Sequence, residues 1–134
     1  MRTAKARHQR RRTRRAPALI VDLSSVRAQK RREQAEARVR DAMEENRAAL
    51  SRLFSTGLIF TQKGARAGRD LLLAHQALLR SADLFARLDE PSARDDAALK
   101  HRAEEMFAHL DAQLARTLQL TARTGEFLSG RGRD

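Results

Sequence analysis

Residues 35–53 read AEARVRDAMEENRAALSRL, and the small or apolar positions of this stretch recur at alternating intervals of four and three residues. The positions that form this stripe are Ala35, Val39, Ala42, Asn46, Ala49 and Leu53. Residues three and four apart share one face of a helix, so the stripe predicts an amphipathic helix. Met43, Leu50 and Phe54 widen the stripe in its C-terminal half. We therefore predict a first helix over residues 25–56.

A second helical period follows Gly57, a residue type that often ends helices. Its seven-residue repeat is carried by Leu58, Ala65, Leu72, Leu79 and Ala86. The repeat predicts a second helix over residues 59–88. Two alternatives stay open, because the period also allows one helix to pass through Gly57, and Asp70 is placed to cap a shorter helix from Leu71.

Pro91 marks the clearest break in the chain, because proline disfavours helical geometry at the residue before it. Ser92, with Asp95 three residues later, is similar to the capping box that starts many helices. Beyond it, an apolar face is formed by Leu99, Ala103, Met106, Leu110, Leu114 and Leu118, with Phe107 and Leu120 on its flank. We predict a third helix over residues 93–128 and a frayed tail over residues 129–134.

Three helices of similar length predict an all-α fold, either a long antiparallel helical hairpin or a three-helix bundle with coiled-coil packing. The core is thin, because the chain has no Trp or Tyr and only five Phe. Leu and Ala must supply most of the buried area. Pairing with a second copy or another protein would stabilise such helices, so we predict a homodimer or a constitutive complex.

The N-terminal residues concentrate the positive charge of the chain. Residues 1–16 contain eight basic and no acidic side chains, and without them the net charge of +11 falls to +3. The eight are Arg2, Lys5, Arg7, Arg10, Arg11, Arg12, Arg14 and Arg15. This segment has nothing to bury, so we predict a disordered arm. Arginine grips phosphate bidentately and releases condensed counterions, which predicts binding to the backbone of DNA or RNA.

The basic track continues into the first predicted helix, where we assign the same phosphate-binding role to Arg27, Lys30, Arg31 and Arg32. Residues 17–24 lie between the two basic groups and are mainly apolar. We predict that they form a strap that folds back on the helices of the domain over residues 25–128. A docking peptide for a partner's groove is the alternative.

A candidate protein interface lies on the second predicted helix. Gly64 and Gly68 have the spacing of small residues that lets helix backbones approach closely. Leu72, His75 and Leu79 follow them at helical intervals, and we predict that all five contact a partner or a second copy. A turn or a loosened helical segment is the alternative for the two glycines.

No pattern in the chain predicts a catalytic, cofactor or metal site. His101 and His109 share a helical stripe with Glu105, but eight residues separate the histidines by about 12 Å along the axis. That is too far to share one metal ion without ligands from another helix. The absence of cysteine excludes disulfides and thiolate metal sites, and it favours a cytoplasmic location. No stretch approaches the roughly 18 apolar residues that span a bilayer.

These features predict a non-enzymatic protein without a small-molecule substrate. Its first predicted function is that of a nucleic-acid-associated accessory or scaffolding factor, whose arm binds phosphate with little sequence preference. The alternative is a helical adaptor or self-associating regulatory module, whose basic arm contacts an acidic protein or a membrane surface.

Overall fold

The computed structural model describes the backbone of residues 2–130 and the side chains of residues 25–130. It contains three α-helices, α1 (Arg2–Ser55), α2 (Gln62–Leu88) and α3 (Ala97–Leu128). Two short 3-10 helices, Leu58–Phe60 and Pro91–Asp95, connect them. No strand occurs between residues 2 and 130. The predicted all-α fold class is confirmed.

The chain divides into two units, Met1–Ala35 and Glu36–Asp134. The helical backbone of α1 begins at Arg2 and so includes the segments predicted as arm and strap. The side chains of both segments lie outside the described residues, and their division into arm and strap stays a prediction. The second unit contains the rest of α1 with α2 and α3, which together form a three-helix bundle. Of the predicted tail, residues 131–134 lie outside the described part of the chain.

Gly57 ends the first helix. Its φ of 74° lies in the left-handed region, which glycine adopts without the steric penalty that a Cβ atom brings. The Thr56 hydroxyl donates to the carbonyl oxygen of Arg52 at 2.7 Å and so occupies one of the acceptors exposed at the helix end. The alternative of one helix passing through Gly57 is therefore wrong.

Thr61 starts α2 at Gln62, a little later than the predicted residue 59. The Thr61 hydroxyl accepts a hydrogen bond from the Gly64 amide at 3.0 Å and donates one to the Leu58 carbonyl at 2.6 Å. A side chain that satisfies a free amide of the first turn fixes where a helix begins. The shorter alternative, starting at Leu71, is wrong because Thr61 supplies this cap nearer the turn at Gly57.

Asp96 starts α3 by accepting a hydrogen bond from the Leu99 amide at 2.9 Å. The predicted start at Ala93, with Ser92 as the cap, is wrong by about one turn. Ser92 lies instead within the 3-10 helix Pro91–Asp95. The first residue of this helix is Pro91, whose ring fixes the backbone φ angle and favours the tighter turn. An aspartate directly before the α-helix replaces serine as the cap.

Pairs of contacting residues fix the directions of the three helices. Phe85 of α2 packs edge to face against Phe107 of α3, with ring centroids 5.4 Å apart. Earlier in α2, Ser81 donates to Gln113, later in α3, at 3.4 Å, so these two helices are antiparallel. Leu53, near the end of α1, packs with residues near the end of α3, so α1 and α3 are parallel. This is the up-down-up order of a three-helix bundle.

The core of the bundle is a seam of mainly aliphatic side chains. Leu53, Leu71 and Leu78 are completely buried, and each contributes about 1.5–3 kcal/mol by leaving water. The other buried apolar residues of this unit are Val39, Ala42, Ala49, Phe85, Ala93, Leu99, Ala103, Leu110 and Leu114. One member of the predicted α1 stripe departs from this arrangement, because Phe54 is 60% exposed.

Candidate interaction sites

Three basic side chains form an exposed ridge on the described part of the first unit. Arg27, Lys30 and Arg31 occupy positions i, i+3 and i+4 of α1, and all three are exposed. Side chains at these intervals are neighbours on one helix face. Arg32, the fourth residue predicted here, is half-buried. The structure thus places three of the four predicted cations together where an anion can reach them.

The eight predicted cations between Arg2 and Arg15 belong to the same unit as this ridge, but their side chains lie outside the described residues. Residues 1–35 contain 12 basic and 2 acidic side chains. Residues 36–134 contain 16 basic and 15 acidic side chains. The boundary between the two units is therefore also the boundary between a strongly cationic segment and a nearly neutral one.

Gly64 and Gly68 are buried against their own chain. A Cβ atom on Gly64 would overlap the backbone carbonyl of Leu58, and one on Gly68 would overlap the end of the Ile59 side chain. The close approach that their spacing predicts is thus made by the 3-10 helix Leu58–Phe60. Both glycines are buried, so a partner chain cannot contact them in this structure. This corrects the predicted role of the pair as an interface.

The leucines of the predicted interface are exposed. Leu72 and Leu79 lie two turns apart on α2 and expose 51% and 46% of their surface. Leu73, which the sequence-based prediction omitted, is 58% exposed. It also lines an open groove of about 950 Å³ between α2 and α3, together with Ala74 and Ala112. A groove lined by a leucine and small side chains is a feature that allows a helix to dock.

Two polar groups of the seam lack hydrogen-bond partners among residues 25–130. Asn46 of α1 is completely buried, and neither its Oδ1 nor its Nδ2 is bonded. His75 of α2 is half-buried, and its Nδ1 is enclosed without a partner. His75 is therefore only partly accessible to a partner, and its predicted interface role stays a prediction. Unbonded buried amide groups are costly, so we expect Asn46 to weaken the bundle.

Phe54 and Phe60 are aromatic side chains that the sequence-based prediction placed in the core or passed over. Phe60 is 87% exposed and Phe54 is 60% exposed, and they lie on either side of the turn at Gly57. One signal in the sequence could have identified Phe60: it lies within the predicted helix 59–88 but outside the seven-residue repeat that begins at Leu58. The spacing of the α1 stripe contains no such signal for Phe54.

The two histidines of α3, His101 and His109, are not part of a metal-binding cluster in this structure. His101 Nε2 lies 3.1 Å from Glu105 Oε1, one turn further along the helix, in an exposed pair. Across the described part of the chain, no group of three or more His, Cys, Asp or Glu residues is placed to hold a metal ion. Within the same part, no helix has both the length and the apolar character needed to cross a membrane.

The first unit thus contributes a basic ridge, and the bundle contributes exposed leucines, an alanine-lined groove and two exposed phenylalanines. In a comparison with known proteins, no family model, no curated protein and no solved structure matches the chain.

Proposed function

We propose that this protein is a non-enzymatic, nucleic-acid-associated accessory or scaffolding factor that binds phosphate backbone through residues 2–32. The observation that carries the proposal is the charge division, in which 12 of the 14 charged residues of unit Met1–Ala35 are basic. Lysine and arginine side chains that neutralise phosphates release condensed counterions, which drives binding with little dependence on base sequence.

The exposed ridge of Arg27, Lys30 and Arg31 supports this assignment. Three cations on one helix face repel one another, a cost of up to a few tenths of a kcal/mol per pair in water. Phosphates that lie along the face attract all three cations and so offset their mutual repulsion. The nearly neutral bundle then serves as the scaffold, and the absence of cysteine supports a cytoplasmic setting.

Binding of a labelled duplex and a labelled single strand, followed by fluorescence anisotropy at several salt concentrations, tests the ridge. We expect the triple variant Arg27→Gln, Lys30→Gln, Arg31→Gln to bind more weakly and to lower the log-log salt slope by about 2 to 3. The matched control neutralises three exposed cations of the bundle, Arg80, Lys100 and Arg102. Equal losses in the two triple variants would show that only net charge matters and would contradict a dedicated ridge.

A second candidate function is that of a helical protein-interaction adaptor, and the exposed leucines of α2 favour it. Leu72, Leu73 and Leu79 together leave a large apolar surface in water, and such patches mark protein contact sites. The adjoining groove gives that surface a shape that a second helix fits. In this case the bundle holds a partner or a second copy, and the basic segment is an additional contact.

Light scattering of the purified chain tests the adaptor candidate. We expect a dimer that Leu72→Asp with Leu79→Asp dissociates, because the carboxylates remove apolar burial from the interface. Leu118→Asp is the matched control, since Leu118 is 50% exposed on α3. A monomer in the wild-type chain would leave self-association without support, and loss of the dimer in the control would place the interface elsewhere.

A further inference from the structure

The connection between α1 and α2 displays aromatic side chains to solvent. We define the tip as residues 52–69, which comprise the last turn of α1, the 3-10 helix Leu58–Phe60 and the first two turns of α2. Phe60 is the most exposed of the large hydrophobic residues described, and Phe54 lies in the same segment. Neither ring contributes much to the core.

The backbone of the tip is held firmly in the shape that displays Phe60. The Thr61 hydroxyl both donates and accepts a hydrogen bond, and the Phe60 amide donates to the Gly57 carbonyl at 3.1 Å. Leu58 and Ile59 pack into the core cluster around Leu53 and Leu71. These anchored neighbours leave Phe60 pointing away from the bundle, a preorganisation that lowers the entropy lost when it binds.

The charge of the tip complements an anionic surface. Residues 52–69 contain four basic and no acidic side chains. All of the basic side chains of the tip are exposed. Three of them, Arg52, Arg66 and Arg69, form no ion pair with a residue in the described range 25–130. The end of α3 packs at the same end of the bundle and contributes one exposed acid, Glu126. The tip therefore stays net positive.

We propose that the tip is a docking site for an anionic phospholipid bilayer. Phe60 and Phe54 enter the boundary between headgroups and acyl chains, while Arg52, Arg66 and Arg69 contact lipid phosphates. Exposed aromatic rings surrounded by cations are the combination that binds such interfaces, through apolar burial together with attraction to anionic lipid. The bundle remains peripheral, with only the tip in the membrane.

Two other occupants fit the tip less well. A second copy would bring two cationic tips together, and their mutual repulsion opposes that contact. A nucleic acid strand stacks its bases along a groove that follows the backbone, whereas the tip is the protruding end of a helical hairpin with its rings on either side of a turn. A bilayer is the anionic partner that offers a flat apolar boundary to such an end.

Tryptophan fluorescence of the full chain tests the proposal directly. The natural chain has no tryptophan, so Phe60→Trp places a single indole at the tip. Vesicles of phosphatidylcholine alone are compared with vesicles of equal parts phosphatidylcholine and phosphatidylglycerol. We expect the emission to shift to the blue, and to be quenched by brominated acyl chains, only with the anionic vesicles. Ala108→Trp, at an exposed position of α3 outside the tip, is the control and should not shift.

Vesicle sedimentation provides the second measurement. We expect Phe60→Ala to lower partitioning onto anionic vesicles by about tenfold, because it removes most of the apolar burial of one aromatic side chain. The same variant should keep its oligonucleotide affinity, which separates this site from the phosphate binding proposed for residues 2–32. Replacing both Arg66 and Arg69 by glutamine in the Phe60→Trp chain should weaken vesicle binding while leaving its fluorescence in vesicle-free buffer unchanged.

Several results would overturn the proposal. Vesicle binding by the Phe60→Trp variant without a shift of its indole emission would assign membrane contact to other residues, such as the basic N-terminal segment. An equal shift in the Ala108→Trp control would indicate general adsorption. An emission change in the Phe60→Trp variant with a single-stranded oligonucleotide, and none with anionic vesicles, would make the tip a base-stacking site instead.

Discussion

Replacing Asn46 by leucine is expected to stabilise the bundle. Asn46 is completely buried in the α1 stripe, and both of its amide atoms lack hydrogen-bond partners among residues 25–130. Leaving a buried polar group unsatisfied costs about 1–3 kcal/mol. Leucine has the same branching pattern and no polar atoms, so Asn46→Leu removes this penalty and adds apolar burial. Leucine is bulkier than asparagine, and overpacking costs about 1–3 kcal/mol, which the added apolar burial offsets.

The expected net gain for Asn46→Leu is about 1–3 kcal/mol, or a rise in Tm on the order of 5–10 °C for a domain of this size. Urea unfolding followed by circular dichroism measures it. Thr117→Val is the matched control, because Thr117 is 2% exposed and its hydroxyl donates to the Gln113 carbonyl at 2.9 Å. Losing that satisfied bond should cost about 0.5–1 kcal/mol. A lower midpoint for Asn46→Leu would refute the reasoning and show that the amide of Asn46 has a partner.

Three further predictions concern the turns and the aromatic contact. Gly64→Ala should destabilise the bundle by about 3 kcal/mol or more in urea unfolding, because its methyl group meets a rigid backbone carbonyl. Gly68→Ala is the matched comparison, because its methyl group meets only the end of a side chain. It should change the free energy of unfolding by less than about 1 kcal/mol, since alanine also favours the helix. Thr61→Ala should cost about 1 kcal/mol through the lost cap of α2, and Thr61→Ser should restore most of it. A double-mutant cycle on Phe85 and Phe107, each changed to leucine, should give a coupling of about 0.5–1.5 kcal/mol, and additive losses would contradict a direct ring contact.

The sequence was sufficient to predict the helices but not all of their ends. The stripe from Val39 to Leu53 and the glycine stop at Gly57 both correspond to observed structure. The ends depended on which polar side chain formed the cap, and at α3 the choice of Ser92 over Asp96 was wrong. Several serine, threonine and aspartate residues adjoin each break. Local preference alone does not rank them, because the 3-10 helices between the α-helices shift the capping position.

Exposure was harder to predict than helicity. Phe54 follows the apolar stripe of α1, yet it is exposed although its neighbour Leu53 is completely buried, because consecutive residues lie about 100° apart around a helix. Gly64 and Gly68 have a spacing suited to close contact, but the contact they make is with the 3-10 helix that precedes them in their own chain. The contact of the two glycines depends on where the chain reverses direction. A periodicity taken along one helix contains no information on that reversal.

The salt dependence of nucleic-acid binding tests the central claim most directly. The full chain is compared with a variant in which the eight cations between Arg2 and Arg15 are replaced by glutamine, using a labelled duplex. We expect the wild-type affinity to fall steeply with salt, and the variant to lose most of its affinity and about 0.7–0.9 of log-log slope for each phosphate contact removed. Unchanged affinity in the variant, or no binding by the intact protein at low salt, would contradict the proposal that its N-terminal unit holds a phosphate backbone.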